Sequence, residues 1–270
     1  MIKFFALSAV ALAAPAIAQS APGDDPAGSI TRAPRQAGIS TGLEYQEGDF
    51  GTGQRIETIS VPVSAYASTG RLQFSASLPY LRVDAPGNVI GGGTGVLGLP
   101  IIVDPTQPAT RERREGFGDL RVNASYTIPV GRSALALWNQ VKLPTASAAK
   151  GLGTGATDYS FGAEVAAPLG RLTPFASIGY TLVGDTEDYD LRNSLSARAG
   201  ANLRLGQRLA GRISYSYAQS PSPELAAEQV VSTALQTELG RSLSLGIYGS
   251  TGLSETAPEL GAGIQLGFKL

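Results

Sequence analysis

The feature that most restricts the fold of this chain is a series of segments in which apolar and polar residues alternate. In residues 71–80, RLQFSASLPY, every second residue from Leu72 to Tyr80 is apolar. Successive side chains of a β-strand point to opposite faces, so each such segment predicts a strand with one apolar and one polar face. A length of about ten residues suits a tilted strand that crosses a membrane, and it exceeds the usual length of strands in globular sheets.

About twelve such segments follow one another, and their connections alternate in length. The predicted strands lie near residues 37–46, 55–67, 71–83, 119–128, 133–144, 158–168, 172–183, 191–205, 209–218, 229–239, 242–251 and 259–270. Short turns with Gly-Arg or Gly-Gln-Arg follow the even-numbered strands, and longer loops rich in Gly, Pro or Asp follow the odd-numbered ones. Short periplasmic turns and long extracellular loops are typical of outer-membrane barrels, whereas a soluble β-sandwich gives no reason for this alternation. The predicted fold is all-β: a transmembrane antiparallel up-and-down β-barrel of about 12 strands, with about 10 or 14 as alternatives.

The first residues are typical of an export signal. Lys3 precedes an apolar run, and Ala16 and Ala18 form an A-x-A cleavage pattern. The run is shorter than the roughly 20 apolar residues that a membrane-spanning helix needs. We therefore predict a cleaved signal peptide at 1–18, a flexible periplasmic leader at 19–36 and an outer-membrane barrel at 37–270. The expected location is the cell outer membrane of a Gram-negative bacterium.

The composition argues against most enzyme chemistry. The 270 residues include no His and no Cys, and the net charge is -1. Without His the chain has neither a Ser-His nucleophile pair, on which barrel-type lipid hydrolases depend, nor a His-metal site. A net charge near zero gives no reason to expect nucleic acid as a partner. We predict no enzyme activity, no cofactor and no metal site.

The glycine-rich stretch GLGTG at 151–155 invites comparison with a phosphate-binding loop. Such a loop needs a strand before it, a helix after it and a Lys-Ser/Thr pair at its end. Here the sequence continues as Ala156-Thr157-Asp158 and then as a predicted strand. The stretch is therefore interpreted as a loop between two barrel strands.

The polar face of each strand predicts which side chains line the lumen. Charged groups on the lipid face would cost about 2–4 kcal/mol each at mid-depth, so they must face water or one another. Two interpretations stay open: a wet pore with a mild positive bias, or a mutually paired plug that keeps the barrel shut. In the fifth strand Trp138 shares one parity with Gln140 and Lys142, and Asn139 has the other, so its orientation is open. The predicted lumen-lining residues are Arg121, Asn123, Gln140, Lys142, Glu164, Arg198, Asn202 and Arg212.

The longest loop, 84–118, contains an apolar stretch, VLGLPIIV at 96–103. Exposing its large aliphatic side chains to water would forgo roughly 1.5–3 kcal/mol each. The stretch has three plausible positions: inside the mouth as a constriction, in a hairpin that extends the wall, or on the outer leaflet. We favour the constriction, because glycines at 91–95 provide a hinge and loops of this length often carry function. The predicted constriction residues are Val96, Leu97, Leu99, Ile101, Ile102 and Val103.

Several motifs are shared with a known family. Residues 116–131 begin with G-x-G-D-L, and residues 141–185 contain K-x-P-T, G-T-G-x-x-D-Y-S-x-G and G-Y-x-L-x-G-D. With these motifs the chain resembles the outer-membrane transporter family named for the meta-pathway of phenol degradation, most clearly over 55–185. The family usually has Gly after K-x-P-T, where this chain has Ala146. The resemblance implies a transporter associated with the catabolism of aromatic compounds, and it carries over no catalytic residue.

The predicted function is passive uptake of small molecules, with aromatic or hydrophobic compounds as the suggested class. The alternative is an outer-membrane barrel with a structural or adhesive role and no transport. The expected partners are outer-membrane lipid and lipopolysaccharide, the barrel-assembly machinery and a small-molecule solute. The charge run at 111–115 is a solvated surface or a contact for lipopolysaccharide phosphates, which suit guanidinium groups. The final strand, ending in Phe268-Lys269-Leu270, resembles the signal that the assembly machinery recognises, although its last residue is not aromatic.

Overall fold

The computed structural model describes residues 36–87, 89–90, 101–102, 110–186 and 190–270. The predicted signal peptide and nearly all of the predicted leader lie outside the described residues, as does the segment 91–100. No helix in the described part of the chain is long and apolar enough to cross a membrane.

The described residues form fifteen β-strands and a short 3-10 helix, Ala148–Lys150. The strands are β1 (Gln36–Gly48), β2 (Ile56–Thr69), β3 (Leu72–Pro86), β4 (Val89–Ile90), β5 (Ile101–Ile102), β6 (Arg111–Phe117), β7 (Leu120–Val130), β8 (Ser133–Leu143), β9 (Asp158–Ala166), β10 (Leu172–Leu182), β11 (Ser194–Arg204), β12 (Leu209–Ala218), β13 (Glu228–Glu238), β14 (Leu243–Gly252) and β15 (Leu260–Lys269).

Antiparallel pairing closes the long strands into a barrel. Each strand from β7 to β15 pairs with the next in the chain, β15 pairs with β1, and β1 pairs with β2. The additional pairing of β2 with β3 completes the circle. Because β6 and β7 share one position beside β3, the barrel has twelve strand positions, as the alternation predicts.

The wall beside β3 is longer than the sequence indicates. β3 pairs first with β7 and then, beyond a one-residue bulge, with β6, where Tyr80 lies opposite Phe117 and Pro86 opposite Arg111. At the bulge the Gly118 amide donates to the Pro79 carbonyl oxygen at 2.8 Å. Residues 84–86 and 111–117 are therefore strand, although the alternation placed both within a loop. Because β6 has polar residues on both faces, it shows no alternation of apolar and polar residues, and the alternation therefore does not predict it.

The two ends of the barrel differ in their connections. At one end, which we call the turn end, Gly70, Gly131 and Gly170 adopt φ values of 62°, 60° and 68°. This left-handed conformation favours glycine, and it explains the Gly-Arg pairs that punctuate the sequence. The opposite end, the loop end, carries the longer connections 49–55, 87–110, 144–157, 183–193, 219–227 and 253–259. Both terminal strands, β1 and β15, have their outer termini at the turn end.

The two faces of the wall differ as the alternation predicts. Along β2, Ile59, Val61 and Val63 are exposed on the outer face, whereas Ser60 and Ser64 point inward. The same holds around the circle, so large apolar side chains cover the outside of a barrel whose inner face is largely polar. A sheet with this arrangement suits a hydrocarbon surrounding, because closure of the barrel pairs its strands around the whole circle.

Candidate functional site: the barrel lumen and its mouth

A buried lysine lies at the centre of a charged cluster near the loop end of the lumen. Lys142 Nζ lies 2.8 Å from Asp158 Oδ2, 3.5 Å from Asp119 Oδ2 and 3.0 Å from Thr154 Oγ1. The Lys142 side chain is only 2% exposed. Arg121, the cross-strand neighbour of Lys142, has Asp119, Asp158 and Glu44 as its acidic neighbours. Buried charges of this kind require partners of opposite charge, and here the two cations lie beside acidic side chains.

Backbone hydrogen bonds attach two loops to the same carboxylates. Asp119 Oδ1 accepts from the Ala146 amide at 3.0 Å, and Asp158 Oδ1 accepts from the Gly184 amide at 3.0 Å. Thr154 accepts from Lys142 and belongs to the loop 144–157, the same loop that contains the glycine-rich stretch. The charged cluster therefore binds this loop to the inside of the wall rather than leaving it free above the barrel.

Apolar side chains from several hairpins pack together above the charged cluster. Phe50, Ile56, Val83, Ala85, Val89, Ala146 and Leu152 form this mouth cluster. Leu152 is completely buried, although it lies within the glycine-rich stretch. Val83 and Ala85 come from the inner face of β3, so the mouth cluster fills one side of the mouth. Burial of this much apolar surface holds loops 49–55 and 144–157 inward.

Loop 49–55 extends the covering across the mouth. A Cβ atom at Gly51 would lie 3.0 Å from Thr256 Cγ2 and 3.4 Å from Leu225 Cδ2, so this loop touches loops 219–227 and 253–259. Phe50 adopts φ 52°, the single non-glycine residue with positive φ in the described residues, and its side chain is 2% exposed. A left-handed conformation costs roughly 1–2 kcal/mol for an L-residue, and packing in the mouth cluster offsets this cost.

An indole ring lies against the inner wall below the charged cluster. Trp138 is in register with Gly162 of β9, which is in register with Gly179 of β10. A Cβ atom at Gly179 would lie 2.7 Å from the Trp138 ring, so the ring occupies the space that side chains would otherwise take. The two glycines allow Trp138 to lie along the wall, which leaves more of the lumen open than a ring standing across it.

A second charged group lies deeper in the lumen. Glu164 is attracted to Arg198 and Arg212, which belong to β11 and β12. Arg212 Nε donates to Asn202 Oδ1 at 2.7 Å, and its guanidinium carbon lies 5.0 Å from the centre of the Phe175 ring. A cation over an aromatic face is attracted by the ring quadrupole, so Phe175 holds Arg212 against the wall. With two cations for one carboxylate, this lower cluster carries a net positive charge.

Part of the inner face remains accessible to water. Side chains on the side formed by β11–β15 and β1 are half-buried although they point inward. Accessible inward-facing polar groups imply solvent space within the barrel below the mouth cluster. Examples are Arg198, Asn202, Arg212, Ser214, Ser232, Gln236, Ser250 and Gln265.

The structure distributes the predicted lumen-lining residues over three levels. Arg121 and Lys142 belong to the upper cluster, and Glu164, Arg198 and Arg212 with Asn202 belong to the lower one. Asn123 and Gln140 are in register with each other at the level between the upper cluster and Trp138. In β8, Trp138, Gln140 and Lys142 are buried and Asn139 is exposed, which gives the orientation that the alternation left open.

Most of the predicted constriction residues, Val96, Leu97, Leu99 and Val103, lie outside the described residues. The backbone of β5, Ile101–Ile102, pairs with that of β4, Val89–Ile90. Val89 and Ile90 are buried at the mouth.

Sequence reasoning missed the residues that cover the mouth. These residues lie in or beside loops, where no alternation of apolar and polar residues indicates which way a side chain points. They are Asp119, Asp158, Thr154 and Leu152. The sequence does give one indication for Asp158. It lies at the start of β9 on the same face as Ser160 and Glu164, so its side chain is expected to point inward. Within the described ranges, no group of three or more acidic side chains comes together to hold a metal ion.

Comparison with a protein-family model identifies the chain. Residues 44–270 match the family described as "Putative MetA-pathway of phenol degradation". The chain belongs to this family. The match confirms the resemblance seen in the glycine and K-x-P-T motifs, and it extends that resemblance to the C-terminal strand. A search of proteins with curated functions found no match.

One solved structure shares the barrel fold of this chain, and two further ones are similar at a lower level. The COG4313 outer membrane channel from Pseudomonas putida F1 superposes with a TM-score of 0.66 at 12% identity, covering 92% of this chain and 100% of that chain. The translocator domain of the autotransporter NalP from Neisseria meningitidis gives 0.49 at 12% identity, with 90% and 89% covered. The KdgM porin in complex with oligogalacturonate gives 0.49 at 8% identity, with 86% and 97% covered.

Proposed function

We propose that this family member is an outer-membrane channel that lets small molecules pass without an energy source. The observation that carries the proposal is the water-accessible, polar inner face below the mouth cluster, in a closed barrel whose outer face is apolar. A barrel that serves only as a membrane anchor has no need of solvent space inside. The shared fold with an outer membrane channel of Pseudomonas putida supports the same function.

The mouth cluster gives this channel a cover that must move for solutes to pass. Phe50 and Leu152 lie on loops, and Lys142 binds the second of these loops through Thr154. Because the loops are held by side-chain packing and by hydrogen bonds outside the strand ladders, they can leave the mouth without disturbing the strand pairing. Passage of a solute then requires a transient opening of loops 49–55 and 144–157.

The proposed substrates are aromatic or hydrophobic compounds of low molecular mass. When the loops open, the apolar side chains of the mouth cluster would give such a solute its first contact, and Trp138 lies lower along the inner wall. The predicted constriction at 96–103 would add a further apolar surface. The backbone pairing of β5 with β4, which contains Val89 of the mouth cluster, supports this part of the proposal.

Uptake into liposomes tests both the channel and its substrates. Liposomes with the folded barrel are expected to take up small aromatic solutes faster than sugars of equal mass, and protein-free liposomes provide the control. A barrel from which residues 91–103 are deleted is expected to take up both faster and to discriminate less. Equal rates with and without the native protein would favour the structural or adhesive alternative, which the covered mouth also allows.

The proposed location and partners follow from the outer surface of the barrel. Tyr80 and Phe117 form an edge-to-face pair at 5.5 Å on the outer face, as in the aromatic girdle of a membrane interface. Above them Arg82 and Arg113 point outward on the extended β3–β6 wall, at a height suited to lipopolysaccharide phosphates. We propose that this end faces the outside of the cell and that β15 is read by the assembly machinery.

A further inference from the structure

A polar side chain lies in the middle of the apolar outer surface. Asn139 is exposed on the outer face of β8, six positions after Ser133 and four before Leu143, the two ends of that strand. Its neighbours across the strands are Ala124 and Phe161. Because the exposed side chains of Leu137 and Leu143 flank Asn139 along β8, and the apolar band of such barrels is about 25 Å tall, we assign Asn139 to the hydrocarbon region.

Asn139 lies in a hollow of about 630 Å³ on this surface. The small side chains of Ala124 and Ala163 form the floor of the hollow. Phe161 and Tyr180 form a ridge beside this floor, with ring centres 6.0 Å apart. We call this surface the Asn139 hollow. Apart from Gln229, which accepts a hydrogen bond from Tyr215 at 2.9 Å, no other carboxamide faces outward on the strands that the structure describes.

The Asn139 carboxamide makes no hydrogen bond with the residues that the structure describes. Acyl chains have no polar atoms to offer it at this depth, and an unsatisfied amide in hydrocarbon is costly. A protein surface that supplies both a donor and an acceptor would satisfy it. A second carboxamide does this, because two amides placed head to tail exchange two hydrogen bonds.

We propose that the Asn139 hollow is the contact surface between two copies of this chain. A two-fold axis beside Asn139 pairs its carboxamide with that of the second copy, as an isologous interface requires. The same rotation brings the Phe161–Tyr180 ridge of each copy, on the β9–β10 side of Asn139, towards Ala124 on the β7 side of the other. One surface thus supplies both halves of the contact, and the assembly closes as a dimer.

Cysteine cross-linking in outer membranes tests the proposal, because the native chain has no cysteine. Leu137→Cys, which lies two residues from Asn139 on the outer face of β8 and lines the hollow, keeps the carboxamide and is expected to give a disulfide-linked dimer upon oxidation. Ile247→Cys, at an exposed position of β14 away from the hollow, is the matched control and is expected to remain monomeric. Cross-linking of Leu137→Cys at the level of Ile247→Cys would overturn the proposal.

The mass of the protein in mild detergent gives an independent readout. The native barrel is expected to sediment as a dimer and Asn139→Leu as a monomer, with both retaining the heat-modifiable gel mobility of a folded barrel. A native monomer would contradict the proposal, and lipid bound to that monomer in native mass spectrometry would make an acyl chain the occupant of the hollow. A dimer that survives Asn139→Leu would also contradict it and place the interface elsewhere.

Discussion

Lys142 Nζ lies 2.8 Å from Asp158 Oδ2, and the two residues are in register on the neighbouring strands β8 and β9. The pair connects the barrel wall to its cover, because Lys142 also donates to Thr154 of loop 144–157. Opening the mouth therefore involves the same lysine that neutralises two buried carboxylates of the wall.

Removing the charge of Lys142 is expected to destabilise the barrel and loosen loop 144–157. Lys142→Met keeps the length of the side chain but breaks its ion pairs with Asp119 and Asp158, which then have Arg121 as their remaining cationic neighbour. Breaking a buried pair in this way costs about 3–5 kcal/mol. Urea unfolding followed by gel mobility measures the loss. Glu238→Gln, which breaks the partly exposed pair with Lys269, is the control and is expected to cost about 0–1 kcal/mol.

The glycine beneath the indole ring gives a second prediction. Gly179→Ala places a methyl group 2.7 Å from the Trp138 ring and 2.9 Å from Ser196 Oγ. Overpacking of this kind costs about 1–3 kcal/mol. The loss is expected to be smaller when Trp138→Leu is also present. Gly249→Ala, whose new methyl group would meet nothing closer than 3.8 Å, is the control and is expected to fold as stably as the native chain. Equal losses for both alanines would disprove the packing argument.

How far the sequence predicts this molecule depends on whether a residue belongs to the wall or to a loop. The alternation of apolar and polar residues, together with the turn glycines, predicts the twelve strand positions. It does so because every strand that crosses the membrane needs a similar length and the same alternation. It misses β6, where charged residues occupy both faces above the membrane. The contact between Lys142 and Asp158 depends on the register of two strands and on the path of the loop between them. The mouth cluster joins residues as distant as Phe50 and Leu152, for which no local pattern exists.

The lower cluster is expected to determine ion preference. Glu164 is attracted to both Arg198 and Arg212, so neutralising it leaves two cations beside the lumen. Glu164→Gln is expected to shift the reversal potential in a salt gradient towards stronger anion preference, and Arg212→Gln towards weaker preference. The two shifts must have opposite signs. Shifts of the same sign, or none, would mean that ions do not pass the lower cluster.

Processing and location form a further prediction. The mature protein is expected to begin at Gln19, after removal of residues 1–18, and to fractionate with the outer membrane. Intact mass and membrane fractionation measure both. Replacing Ala18 by Arg is expected to block cleavage and retain the longer chain. A mature protein recovered from the soluble periplasm would contradict the membrane assignment.

Single-channel current across a planar bilayer is the measurement that tests the central claim most directly. The native barrel is expected to give brief, small current steps, because the mouth cluster covers the lumen. Leu152→Ala removes a fully buried side chain of that cluster, a change that costs about 2–5 kcal/mol in a packed core, and is expected to give longer and larger steps. Leu253→Ala, at an exposed loop position, should behave as the native barrel does. A folded native barrel and a folded Leu152→Ala variant that both pass no current would contradict the proposed channel.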